Sequence, residues 1–191
     1  LTALLAALVL AQVMLVSYLL LLTAAALVAR SRARPGSNGR RRFALLVPAH
    51  NEEAVIARLL TSLNQLDYPR ECLDVCVVAD NCEDGTAFIA RSMGARVYER
   101  FDTAEQAKGF ALRWLIGQLE ESGRIYDAFV IVDADSVLAP NFLRSMDARL
   151  EGGARAVQAH YSVLNPQHSA VAGLRSAALA ALLAAGPLAA Q

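Results

Sequence analysis

The stretch FALLVPAHNEE, Phe43 to Glu53, decides how this chain is read. Phe43 to Val47 is an unbroken apolar run, too short for a helix of ordinary length, and it predicts a buried strand. Pro48-Ala49-His50-Asn51 then turns the chain. Beyond it Val55, Ile56, Leu59, Leu60 and Leu63 recur at helical spacing, predicting a helix from about Glu52 to Gln65. Asn51 suits the N-cap of that helix, and Glu52 and Glu53 suit the positive end of its dipole. The unit is strand, polar turn, helix.

It recurs downstream. Leu73 to Ala79 predicts a second strand, ending in the polar turn Asp80-Asn81-Cys82-Glu83-Asp84-Gly85-Thr86 and a helix up to about Met93. Ala95 to Tyr98 predicts a short third strand, and Ala104 to Glu121 a long helix with Phe110, Leu112, Leu115, Ile116 and Leu119 on one face. Ala128 to Val132 is the most strongly strand-like run and ends at Asp133-Ala134-Asp135. A helix from about Pro140 to Leu150 and a fifth strand from about Ala154 to Tyr161 complete the series. Strands alternating with helices indicate an α/β fold with a largely parallel sheet. In such sheets ligands bind outside the carboxyl ends of the strands. The polar clusters at His50 to Glu53, Asp80 to Asp84 and Asp133 to Asp135 all fall there.

Upstream the composition changes. The 191 residues are 55% hydrophobic, with 18 Lys and Arg against 18 Asp and Glu, yet Leu1 to Ala29 contain no charged residue and no histidine. As a helix that run is about 43 Å long, enough to cross a hydrocarbon core of about 30 Å. Arg30, Arg32, Arg34, Arg40, Arg41 and Arg42 follow it, and six arginines without an acid place this flank on the cytoplasmic side of a cell membrane. The expected organisation is therefore a transmembrane helix over 1–29, a basic linker over 30–41, a soluble ligand-binding domain over 42–168, and the start of a truncated helical segment over 169–191. The apolar first residues and the Ala-rich end give the sequence the look of a fragment. A net charge of zero argues against a dedicated nucleic-acid binder. Cys72, Cys76 and Cys82 lack zinc-site spacing and are expected reduced.

Asp133 and Asp135 lie two apart at a strand end, so their side chains share one side. Two like charges held together call for a cation, and oxygen-only ligands favour Mg2+ or Mn2+. The alternative is a capping pair that opens the next helix. Asp80 is placed to accept a hydrogen bond from a nucleobase imide N–H, whereas Asp84 reads better as a helix cap. Lys108 suits either a phosphate contact or a solvated surface. His50 reads as a turn residue, and His160 and His168 have no partner at metal spacing.

Four segments resemble family-2 glycosyltransferases. Leu46 to Glu53 is similar to their P-x-[YH]-N-E signature, and Val77 to Thr86 to their second-strand V-V-D-D-x-S-x-D-x-T turn. Gln106 to Leu112 is similar to their K-x-x-A-L helix, and Asp133-Ala134-Asp135 to their D-x-D. Order and intervals agree over about residues 42–165. The resemblance implies a GT-A fold and inverting, metal-assisted transfer of a sugar from a nucleotide-sugar donor, commonly a UDP-sugar. The acceptor would be a glycan or a lipid-linked molecule at the cytoplasmic membrane face, as in exopolysaccharide and cellulose-synthase-like members. Carried over by the match, Pro48, Asn51, Glu52 and Asp80 line the nucleoside pocket, Lys108 lies near the nucleotide, and Asp133 and Asp135 hold donor and metal. Ala79 departs from the pattern, standing where many members have the first Asp of a pair. The family's general base, in a later E-D type motif, and its Q-x-x-R-W motif have no counterpart before Gln191, so the catalytic base is expected beyond that residue.

Three rival readings compete. A haloacid-dehalogenase-like phosphohydrolase also uses D-x-D and Mg2+, but on the first strand of its domain rather than the fourth. A Rossmann oxidoreductase would carry G-x-G-x-x-G after the first strand, which is absent. A non-catalytic nucleotide-binding or scaffolding remnant fits the missing base.

Overall fold

The computed structural model describes residues 2–30 and 41–159, with single positions at 162, 164, 167 and 174. The chain divides into two compact units, one of 1–34 with 158–191 and one of 35–157. In the first, α1 (Thr2–Arg30) is a 29-residue helix whose described side chains include the exposed Leu10, Met14, Leu20 and Leu21. Among the described residues no helix is long and apolar enough to cross a membrane. The linker over 31–40, the segment over 169–191 except position 174, and both His160 and His168 lie outside the described residues.

The second unit is built on four parallel strands: β1 (Phe43–Ala49), β2 (Leu73–Asp80), β3 (Arg96–Arg100) and β4 (Ala128–Ile131), in the order β3-β2-β1-β4. The helices are α2 (Ile56–Asn64), α3 (Thr86–Ser92), α4 (Lys108–Glu121) and α5 (Phe142–Glu151). Side chains alternate across the sheet, and β1 is covered on both faces. Phe43, Leu45, Val47 and Ala49 pack with Ile56, Leu59 and Leu63 of α2 and Leu143 of α5. Ala44 and Leu46 pack with Ala111, Leu115 and Leu119 of α4. A strand buried on both sides has no polar alternation, which explains the continuous apolar run from Phe43.

Several sequence expectations change. The helix expected from Glu52 begins at Ile56, because residues 52–55 form a separate turn in which the Glu52 carbonyl accepts from the Val55 and Ile56 amides. Asn51 is not its N-cap; it sits in the left-handed region at φ 54° and bonds elsewhere. The long helix begins at Lys108 rather than Ala104, since Asp102 captures the amides of Ala104 and Glu105 and holds that loop open. The third strand is shifted to Arg96–Arg100, and the last helix ends at Glu151. Ala128–Ile131 is an edge strand of the described sheet, with Phe129 and Ile131 exposed, although its composition reads as the most buried. The described part of the expected fifth strand, 154–159, is irregular.

Cys76 is fully buried in the α4-facing layer. Burial, reinforced by Asp74, pushes the Cys76 thiol from the ordinary 9.0 to about 11. A group that holds its proton more tightly when folded stabilises the fold fully below its unfolded pKa. That contribution is lost as pH rises through the folded value. Unfolding free energy should therefore fall by roughly 2–3 kcal/mol between pH 9 and pH 11 from this thiol alone. Burial raises Tyr68 and Tyr126 as well, so their contribution persists higher still. Urea unfolding across this range should show a shallower loss for Cys76→Val than for the parent protein; equal slopes would contradict it.

Candidate functional site

The ends of β1 and β2, the turn after β4 and the loop that follows β3 open onto one cleft of about 540 Å³. The turn after β1 contributes Pro48, Ala49, His50 and Glu52, and the end of β2 contributes Asp80 and Asn81. The loop after β3 brings Gln106, Ala107 and Lys108, and the turn after β4 brings Asp133, Ala134 and Asp135. The central strands carry their side chains to the C-terminal edge of the sheet, where an open α/β fold forms a crevice.

The first two turns are fastened to each other across about thirty residues of sequence. The Asn51 side-chain oxygen accepts from the Glu83 amide at 2.8 Å. The Glu52 amide donates to Thr86 Oγ1 at 2.8 Å, and the Glu53 amide to Asp84 Oδ2 at 3.1 Å. The Gly85 amide donates to Glu53 Oε2 at 2.7 Å, and a Cβ on residue 85 would lie 3.0 Å from that same oxygen. His50 Nδ1 meets the Asp80 carbonyl at 2.7 Å. Since a carbonyl only accepts, Nδ1 carries the proton there.

These bonds divide the predicted donor residues into two groups. Pro48, Glu52, Asp80, Lys108, Asp133 and Asp135 line the cleft together. Asn51 is not among the residues lining the cleft; its side-chain oxygen fastens the neighbouring turn. Asp84 does the same work at the start of α3, accepting from the Thr86 amide at 3.0 Å and the Thr86 hydroxyl at 2.5 Å. The amides of Thr86 and Glu53 and the Thr86 hydroxyl hold its carboxyl below the usual range despite some desolvation. His50, read from sequence as a turn residue, is both: it turns the chain and lines the cleft.

Lys108 Nζ donates to Asp133 Oδ1, so the cation at the start of α4 and the first acid of the D-x-D pair meet across the cleft. Both side chains are about half exposed. Asp135 is also exposed, while Ala134 between the two acids is buried, which turns both carboxylates to the same open side. Among the described residues no three acidic, histidine or cysteine side chains gather into a complete ligand set. Two carboxylates beside an open cleft nonetheless suit Mg2+ or Mn2+, which bind through one or two acids and complete their shell with water and substrate phosphates. The donor chemistry fits the ion.

Sequence reasoning missed Arg100. It closes β3 in register with Asp80 and is 5% exposed. Its guanidinium donates to Asp80 Oδ1 at 2.8 Å and to Asp102 Oδ2 at 2.8 Å. A β-strand residue two positions before an acid gave no local signal, because the partner that matters is twenty residues upstream.

Residues 40–185 match the family described as glycosyltransferase like family 2. The chain belongs to glycosyltransferase family 2. Relatives agree. A 4,4'-diaponeurosporenoate glycosyltransferase of Staphylococcus haemolyticus is 32% identical over 130 residues, 66% of this chain and 32% of that protein. A β-monoglucosyldiacylglycerol synthase of Trichormus variabilis is 34% identical over 104 residues, 52% of this chain and 21% of that protein. A mannosyltransferase of Pyrobaculum calidifontis, solved with GDP-mannose and Mn2+, superposes with a TM-score of 0.54 at 26% identity, covering 69% of this chain and 39% of that one. This family member thus spans about a third or less of the curated relatives it matches.

Proposed function

We propose that the cleft binds the nucleotide-sugar donor of an inverting, metal-assisted glycosyltransferase. One observation carries the reading: Glu52, Asp80, Lys108, Asp133 and Asp135, drawn from the segments that follow β1, β3 and β4 and from the end of β2, line the same cleft. In this reading Asp80 faces the base, Lys108 lies by the diphosphate, and Asp133 and Asp135 hold a divalent ion. That ion would neutralise the diphosphate as it leaves the anomeric carbon. The GDP-mannose and Mn2+ of the Pyrobaculum neighbour support a nucleotide sugar and a divalent ion as the ligands. None of the cleft residues is assigned as the base that activates the acceptor.

We further propose that the acceptor side works at a membrane surface. The uncharged run Leu1 to Ala29, followed in sequence by Arg30, Arg32, Arg34, Arg40, Arg41 and Arg42, supports a membrane anchor with the cleft on the cytoplasmic face. The Trichormus relative is named for a glucosyldiacylglycerol, which supports a lipid or lipid-linked glycan as acceptor.

Calorimetric titration of UDP and GDP into the protein, with Mn2+ or with EDTA, tests the donor site. Wild type is expected to bind one of the two about tenfold or more tightly with Mn2+. Asp135→Ala is expected to lose that gain. Equal affinity in both media for both proteins removes the metal from the pair, and no binding of either nucleotide removes the donor site.

A further inference from the structure

Arg100 lies outside the four motifs, yet it is among the most buried charged side chains of the unit, and it bonds both the cleft residue Asp80 and the loop that leads to Lys108. Asp80 and Arg100 are register partners at the ends of adjacent parallel strands, so their side chains emerge side by side on the same face. Asp80 is 8% exposed. Its Oδ1 accepts from Arg100 Nη1 at 2.8 Å and from Asn81 Nδ2 at 3.3 Å. Its Oδ2 carries no bond among the described residues, and the carboxylate lines the cleft.

The same guanidinium reaches into the loop after β3. Nη1 also donates to the Glu105 carbonyl at 3.0 Å, and Nη2 to Asp102 Oδ2 at 2.8 Å. Asn81 ties the loop from the other side, accepting from the Asp102 amide at 2.8 Å and donating to the Asp102 carbonyl at 3.0 Å. This loop leads directly to Lys108. A planar guanidinium holds a carboxylate and two loop oxygens in fixed directions from two separate nitrogens, whereas a lysine ammonium is a compact point charge whose three donors rotate freely.

We propose that Arg100 is the positioning residue for base selection: it locks Asp80 with one oxygen turned into the cleft to accept from a ring N–H flanked by a carbonyl. Uracil N3–H and guanine N1–H share that chemistry. The inference rests on the cleft being the nucleotide-sugar site and goes one step further, to what makes Asp80 selective. Asp80 touches the base; Arg100 acts through it.

Methylated nucleotides isolate the effect. Affinities for UDP against N3-methyl-UDP, and for GDP against N1-methyl-GDP, are compared in wild type, Arg100→Lys, Asp80→Ala and the double variant. Wild type is expected to prefer one parent nucleotide to its methylated form by about tenfold or more, the scale of a hydrogen bond to a charged group. Arg100→Lys keeps a cation beside Asp80, Asp102 and the Glu105 carboxylate, which lies 3.7 Å from Arg100 Nη2, but loses the fork. Its preference is expected to fall to about threefold or less, with affinity for the methylated form unchanged. In Asp80→Ala the preference is lost, and adding Arg100→Lys changes nothing more. Arg100→Gln, which retains an amide donor without charge, repeats the measurement should the lysine variant fold poorly. Full preference in the Arg100 variants, or equal weakening of parent and methylated nucleotide, overturns the inference while leaving the donor site standing. A wild type that binds a nucleotide without regard to methylation does the same. Binding of none of the four overturns the site and the inference together.

Discussion

Phe43→Ala is expected to lower the unfolding free energy by about 3–5 kcal/mol. The ring is 1% exposed at the start of the central strand β1, inside the layer that α2 and α5 cover. It also meets Tyr68 edge-on, with centroids 5.4 Å apart and planes at 75°, a geometry worth about 0.5–1.5 kcal/mol beyond the area buried. Tyr68 in turn places its hydroxyl 2.8 Å from the buried Asp147 of α5 and 3.0 Å from the Arg41 carbonyl, and Arg41 Nη1 donates to Asp147 at 2.5 Å. Removing the Phe43 ring thus empties a cavity and unsupports the ring that orients a buried polar cluster. Against a typical total of about 5–15 kcal/mol, this leaves little margin. Phe129→Ala on β4, where the ring is 43% exposed, is expected to cost about 1 kcal/mol or less. Paired denaturant titrations read both; comparable losses would mean that β4 is covered as fully as β1.

That contrast shows where the sequence is legible. β1 is sandwiched between α2 and α4, and its unbroken apolar run follows from that position. The run at Ala128 to Val132 looks the same by composition, yet it lies at the edge of the described sheet, because pairing partners are not encoded in the strand's own letters. The cleft was legible in outline: three polar turns at three strand ends had to converge once the strands were parallel neighbours. The roles within it were less so. Asn51 before an amphipathic run has the local look of a helix cap, and only the Glu83 amide, more than thirty residues away, shows what its oxygen binds. Arg100 is the same case in reverse, an unremarked strand residue until register sets it beside Asp80. Long-range hydrogen bonds between turns are the part that periodicity and spacing cannot reach.

Lys108→Ala is expected to weaken nucleotide binding more without a divalent ion than with one. In the present arrangement Lys108 neutralises Asp133. A lysine bound there does part of what a cation at the D-x-D pair would do, and it competes with one for the same carboxylate oxygen. A half-exposed pair is weak on its own, about 1 kcal/mol or less, so it yields readily to a divalent ion carrying a diphosphate. Once displaced, the ammonium is free to meet a phosphate oxygen. In EDTA, where the lysine is the main positive charge facing the diphosphate, Lys108→Ala should weaken UDP or GDP binding about tenfold or more. Without the lysine, two aspartates face each other uncompensated, so the variant should take up Mn2+ alone more tightly than wild type, read by Mn2+ electron paramagnetic resonance. The ratio of nucleotide affinities with and without Mn2+ should therefore widen in the variant, whereas Asp135→Ala should narrow it. If Lys108→Ala leaves both the metal affinity and the ratio unchanged, the Lys108–Asp133 contact is a surface pair with no part in the donor site. If it narrows the ratio, the lysine helps hold the metal-bound state instead of competing with it.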